Sequence, residues 1–426
     1  MGRLPPLLAL LAATALAAGP PDGAPDRAPN GAPSPRDLYE ARDFFALREQ
    51  LAARSQGGDE DPESGFLRAA SLQAFNDPEG SRGLAAELLA GAPNAAFAAQ
   101  LHHLQIGNHL RLFRYADALV SARSLLALAA TGAAPDLVDD AAGTLPLLEA
   151  LAGAPPQEVE IRGPSRLALE RNRRLPVTIG DRERRLTLDT GANLSVLMRS
   201  EAEALGLAIR PAGVRVSTST GRSVTADVAL APRMTVGQAH LRNVAFLVFP
   251  DELLTFPDGT RIPGLVGFPV ADALGELTFR ADDVVEIPTR APRRTLGNLA
   301  LDGLELLVRA RYDADTLLCR LDTGAAHTVF YEPFYRRYHE RLERLGKHVT
   351  TRSAGVGGAR ELPALRLPRF VLTVAAAGVT LRDVDVLTTP LGDPNHDSLD
   401  CNLGQDALAG FRSWTINFRD MALVVQ

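Results

Sequence analysis

The sequence predicts a multidomain chain in which an all-α region of helical hairpins precedes an all-β region of two related lobes. Three observations carry this reading. Apolar residues recur at helical spacing from Asp37 to about Ala154, then at every second residue after Pro155-Pro156. Within the β-rich part, Leu188-Asp189-Thr190-Gly191-Ala192 returns as Leu321-Asp322-Thr323-Gly324-Ala325. The length of 426 residues accommodates several domains of roughly 100–200 residues each. Hydrophobic residues make up 46% and charged residues 23%, as in ordinary folded protein. Aromatic residues are only 5%, so the cores must be aliphatic.

The first element is a leader. Residues 1–18, MGRLPPLLALLAATALAA, place one Arg before an apolar run and end in small residues around Ala15-Leu16-Ala17. This reads as a secretory signal peptide. The apolar run from Leu4 to Ala18 is shorter than the roughly 20 residues of a membrane span, so no stable membrane insertion is expected. Residues 19–36 are rich in Pro and Gly and have little to bury; they read as a disordered linker. The expected location is therefore outside the cytoplasm, periplasmic or secreted, where two cysteines can pair. The net charge of −6 argues against a nucleic-acid partner. All basic residues but Lys347 are arginine, which reads as coding bias.

The second element is helical, residues 37–154. Candidate helices run Phe66–Phe75, Gly83–Leu89, Ala95–Leu110, Tyr115–Leu128 and Leu137–Leu151, broken by Asn76-Asp77-Pro78 and Gly91-Ala92-Pro93. The stretch LHHLQIGNHLRLFRYADALVSARSLLAL resembles a tetratricopeptide helix pair, with Gly107, Tyr115, Ala116 and Ala118 near its small and aromatic positions. A weaker copy lies around FLRAASLQAFNDPEG. A helical repeat and a plain helical bundle both fit these degenerate copies.

The remaining elements are two β-lobes of nearly equal length, residues 155–290 and 291–426. The two Asp-Thr-Gly runs are offset by 133 positions. Leu265-Val266-Gly267 follows the first as Asn402-Leu403-Gly404 follows the second, at intervals of 78 and 82 residues. A carboxylate at the end of an apolar strand is costly unless it is paired or hydrogen-bonded. Two such turns, meeting where related lobes face each other, set Asp189 beside Asp322. Like charges so close cannot both ionise, and the pair shares one proton. The ionised member can take a proton from water while the other donates one to a carbonyl oxygen. The chemistry is amide hydrolysis by activated water, with no cofactor, no metal and no covalent intermediate. The glycines after each Thr allow close backbone approach.

On these motifs the chain, over residues 155–426, resembles the retropepsin-like aspartic peptidases. The resemblance implies a two-lobed acid-protease fold, of the pepsin or retropepsin type, and an aspartic endopeptidase acting on peptide or protein substrates. It implies Asp189 and Asp322 as catalytic dyad, with Thr190, Gly191, Thr323 and Gly324 supporting it. Thr190 and Thr323 would cross-brace the two turns, and Gly267 and Gly404 would pack beneath them. Both halves lie in one chain, so dimerisation is not required for the active site. Flap hairpins would have tips at Gly221 in VSTSTGRSVTADV and at Gly357 and Gly358 in SAGVGGARELP. Cys319 and Cys401 would lie on neighbouring strands and form a disulfide. One departure is Asn402, where the family has an apolar residue; it is expected to weaken the local core without touching the carboxylates.

Other constellations carry less. The histidines, from His102 to His396, form no H-E-x-x-H or other metal pattern, and His327 is set apart only by following the second motif. No G-x-S-x-G is present, and AGVGGA lacks the Lys-Ser/Thr of a phosphate loop. Six arginines between Arg171 and Arg185 read as a solvated sheet face. Two rival functions remain: a non-catalytic peptide-binding protein with a protease-like cleft, and a helical-repeat scaffold that docks a protein partner and carries an auxiliary protease domain.

Overall fold

The computed structural model describes residues 33–54, 61–170, 173–217, 223–256, 259–356, 358–392 and 396–426. The expected signal peptide, most of the expected linker, Gly221 and Gly357 lie outside the described residues. A first helix, Pro35–Glu40, begins inside the segment read as linker. The reason is local: Ser34 caps the helix, accepting from the Asp37 N–H while Asp37 returns a bond to Ser34 N–H, and Pro35 occupies the first turn.

The same device starts the next helices. Asp61 precedes Pro62–Ala74, Asp77 precedes Pro78–Ala90, and Asn94 precedes Ala95–Arg111; each side chain accepts the N–H three residues on. Phe44–Arg54, Tyr115–Ala127 and Pro135–Leu151 complete the helical part. Arg42, Asn76 and Phe113 take positive φ in the breaks between helices. No helix among the described residues is long and apolar enough to cross a membrane.

From Glu158 onward the chain is strand-rich and forms three sheets. The first has eight strands in the order Glu158–Ile161, Ala239–Phe249, Ser195–Met198, Gly264–Val266, Arg182–Leu188, Arg174–Ile179, Ser223–Val236 and Ile209–Ser217. The second also has eight: Leu299–Asp302, Glu305–Tyr312, Asp315–Leu321, Cys401–Leu403, Val329–Phe330, Ala377–Leu387, Gly358–Val374 and Lys347–Gly355. Their central orders correspond strand for strand. In both, the strand leading into Asp-Thr-Gly pairs in parallel with the strand that ends before Gly267 or Gly404. A five-stranded sheet, Ser165–Ala168, Val284–Ile287, Glu276–Arg280, Ser413–Asn417 and Ala422–Val425, draws strands from both halves of the β-region. Phe279 stacks on Trp414 inside it, with ring centroids 3.9 Å apart.

The helical part is not a separate body. Phe44, Phe45, Phe66 and Phe97 share one apolar cluster with Ala300, Leu307 and Leu362 of the second sheet and with Tyr331 beside it. Ile106, Tyr115, Leu147 and Leu151 share another with Leu188, Leu194 and Phe268. Polar contacts fasten the seam: buried Arg42 pairs with buried Asp302 at 3.0 Å, and half-buried Asn76 donates to the Phe418 carbonyl at 2.7 Å. In the arginine-rich stretch, Arg184 and Arg185 pair with Glu201 and Glu170 near solvent. Arg173 departs from the solvated-face reading, because its guanidinium lies 5.4 Å from the ring centroids of Phe279 and Trp414.

Candidate active site

Both Asp-Thr-Gly turns leave the ends of buried strands, and the two turns meet. Asp189 N–H bonds to the Val266 carbonyl and Asp322 N–H to the Leu403 carbonyl, each at 3.0 Å. The parallel partner strand thus holds each carboxyl-bearing residue by its main chain. Beyond it, Gly267 and Gly404 lie against the chain that follows each motif. A Cβ on Gly267 would come within 2.5 Å of the Leu194 carbonyl carbon, and one on Gly404 within 2.6 Å of the His327 carbonyl carbon. Their N–H groups donate to Ser195 Oγ and Thr328 Oγ1, both at 3.1 Å.

Thr190 and Thr323 lock the turns together and are buried. Thr190 N–H donates to Thr323 Oγ1 at 3.0 Å, and Thr323 N–H donates to Thr190 Oγ1 at 3.2 Å. Each hydroxyl passes its own proton across: Thr190 to the Leu321 carbonyl at 3.2 Å, Thr323 to the Leu188 carbonyl at 2.9 Å. Four bonds therefore join the two halves, with every partner satisfied. This cross-brace leaves room only for glycine beside the carboxyls. A Cβ on Gly191 would sit 2.7 Å from the Asp322 carboxyl carbon, and one on Gly324 would collide with the Asp189 carboxyl.

Each carboxyl therefore lies against the glycine of the opposite turn, which sets Asp189 and Asp322 beside one another. Burial, reinforced by the Asp322 charge, pushes the Asp189 carboxyl up to about 7, against the pull of Arg320 and the Gly191 N–H. Both residues keep part of their surface exposed, so a reactant can reach them. Among the described residues no group of three or more His, Cys, Asp or Glu is arranged to hold a metal ion.

Residues 175–270 match the aspartyl protease family model. The match takes in Asp189, Thr190, Gly191 and Gly267 and relates this part of the chain to the aspartyl proteases; Asp322 lies beyond it. Among solved structures, a retropepsin-like aspartic protease from Rickettsia conorii aligns at 17% identity over 31% of this chain and 92% of its own, with a TM-score of 0.23. Basic 7S globulin from soybean aligns at 11% identity over 64% of this chain and 96% of its own, with a TM-score of 0.36. No curated protein matches the chain.

The structure also describes the two cysteines and two hairpins. Cys319 and Cys401 are register partners on neighbouring parallel strands and form a disulfide. Gly358 opens the return strand of a hairpin, with Gly355 opposite it and a φ of 108° that favours glycine. The strands flanking residues 218–222 pair as a hairpin too, with the tip outside the described residues. His327 is exposed, its ring 3.6 Å from Asp406.

Asn402 requires a correction. It does touch the carboxylates: its Nδ2 donates to Asp322 Oδ2 at 3.2 Å. The residue opposite it in the ladder, Arg320, was not singled out from the sequence and is also part of the site. Arg320 is buried, donates to the Gly191 carbonyl at 2.5 Å, contacts His396 Nε2 at 2.9 Å and pairs with Glu305 at 3.4 Å. Burial works against its charge, and Glu305, Asp322, Tyr331 and Asp189 together outweigh it and raise its pKa. The sequence held a usable signal. Arg320 and Asn402 break the internal repeat, because Thr187 and Leu265 occupy the matching places, and two residues before an Asp on a strand is the same face.

Proposed function

We propose that this chain is an aspartic-type endopeptidase in which Asp189 and Asp322 form one catalytic dyad at the junction of two pepsin- or retropepsin-like lobes. The observation that carries the proposal is the reciprocal Thr190–Thr323 brace, which holds each carboxyl against the glycine of the opposite turn. One carboxylate accepts a proton from a water molecule as the water oxygen bonds to the peptide carbonyl carbon. The partner carboxyl gives its proton to the carbonyl oxygen, producing a neutral tetrahedral diol. Collapse of the diol breaks the C–N bond, the amine leaves with a proton, and the dyad regains its single proton. The two hairpins at residues 209–236 and 347–374 act as flaps over the substrate, using main-chain groups. The protein works after export, and its helical part recruits or presents the substrate.

The test is digestion of a proteome-derived peptide library by the full chain between acid and neutral pH, read by mass spectrometry. Cleavage at defined bonds, absent in Asp189→Asn and in Asp322→Asn, is expected. Undiminished cleavage by either variant overturns the mechanism. Absence of turnover by the wild type favours a peptide-binding role.

A further inference from the structure

The two carboxyls of the dyad sit in unequal surroundings although their main-chain settings match. Asp189 accepts one N–H, from Gly191 at 2.8 Å. Asp322 accepts three donors: Gly324 N–H at 2.8 Å, Ala325 N–H at 3.1 Å and Asn402 Nδ2 at 3.2 Å. A carboxylate gains from each donor, whereas a protonated carboxyl gains less, so donors collect the negative charge. Arg320 adds a buried positive charge on the Asp322 strand. It is held in place by Glu305 and His396, with Tyr331 nearby and Asp302 and Arg42 beyond Glu305. Its charge reaches both carboxyls, Asp322 more strongly than Asp189, and no side-chain donor like Asn402 serves Asp189, where Thr187 and Leu265 take the corresponding positions.

We propose that Arg320 and Asn402 are positioning residues that fix the dyad proton on Asp189 and hold Asp322 as the carboxylate that deprotonates water. The inference rests on the dyad reading above and goes beyond it. A symmetric pair would share the proton; here the second half of the chain breaks the tie. The upward shift of the Asp189 carboxyl agrees with this assignment. Asp189 is then the acid toward the carbonyl oxygen.

The test uses the full chain labelled with 13C at the aspartate carboxyls, titrated by NMR from about pH 3 to 8. Asp189→Asn and Asp322→Asn identify the two resonances by their loss. The expected result is that Asp322 turns to carboxylate at lower pH than Asp189, leaving a window in which Asp322 is ionised and Asp189 is still a carboxylic acid. In Asn402→Leu, which copies Leu265, the Asp322 midpoint and the acid limb of kcat/KM should move up together by about one pH unit. Leu265→Asn, which adds a donor beside Asp189 instead, should narrow the difference between the two signals. Proton on Asp322, equal sharing in the wild type, or unchanged midpoints in both variants overturns the assignment. The NMR arm needs no turnover: ordered carboxyls in a chain that cleaves nothing would sustain this inference and defeat the peptidase reading.

Discussion

The two halves of the β-region make the same main-chain scaffold and fill it differently. In each, an Asp N–H meets a neighbouring-strand carbonyl at 3.0 Å, and a glycine N–H meets a Ser or Thr hydroxyl at 3.1 Å. The side chains around that frame are unlike. The first half has Leu186 and Thr187 on its Asp strand and Leu265 on the neighbouring strand; the second has Cys319 and Arg320, with Asn402 on the neighbour. What repeats is what any paired-carboxyl site needs, namely glycines where chain meets chain and hydroxyls that satisfy buried amides. What differs is charge and covalent bracing. Geometry is thus set by the repeat, and the electrostatic character of the pair by departures from it.

Removing the third region should give the largest effect. The helices share apolar clusters with both halves, and Arg42 covers the buried Asp302. A chain starting at Pro155 would expose those clusters and leave Asp302 without its partner. It should be recovered aggregated, with no cooperative melt; a soluble truncated chain with a wild-type melting temperature would mean the helices are auxiliary.

The cross-brace comes next. Thr323→Val leaves the Thr190 N–H and the Leu188 carbonyl buried without partners, at roughly 1–3 kcal/mol each. Urea unfolding should show a loss of several kcal/mol, and Thr190→Val should match it if the two halves are mechanically equal. The disulfide should be felt less, because it braces one half only. Cys319→Ala with Cys401→Ala should lower stability by about 2–4 kcal/mol while leaving peptide cleavage in place.

The smallest effect is a pH dependence. Folding raises the Asp189 carboxyl to about 7 and the buried Asp302 carboxyl to about 6. A raised carboxyl binds its proton more tightly in the native state. Its contribution is complete below about pH 4 and is lost as pH climbs through 6 to 7. The stability difference between wild type and Asp189→Asn should therefore fall by roughly 2–4 kcal/mol between pH 4.5 and 7.5, measured by urea unfolding. A constant difference would place Asp189 in an ordinary, solvated setting.

Much of the site was legible in the sequence because it is local and repeated. Two Asp-Thr-Gly runs, each followed some 80 residues later by a Leu-containing element ending in Gly, specify the turns, the brace and the supporting glycines. The start of the helical part was misplaced because Ser34 and Pro35 look like linker until Asp37 is seen as the second half of a capping box. Arg320 and Asn402 were harder to read. An isolated Arg or Asn in a strand has no local signature, and their roles depend on the parallel register that sets them opposite each other. The seam between helices and sheets is long-range packing, to which helical periodicity alone gives no partner.

The central claim is that two carboxyls from two halves of one chain act as a single hydrolytic unit. Initial rates on one library-derived peptide, for wild type, Asp189→Asn and Asp322→Asn with matched thermal melts, test it most directly. Both variants should lose activity by a factor of about a thousand or more. Retention of even a tenth of the wild-type rate by either folded variant would contradict the account.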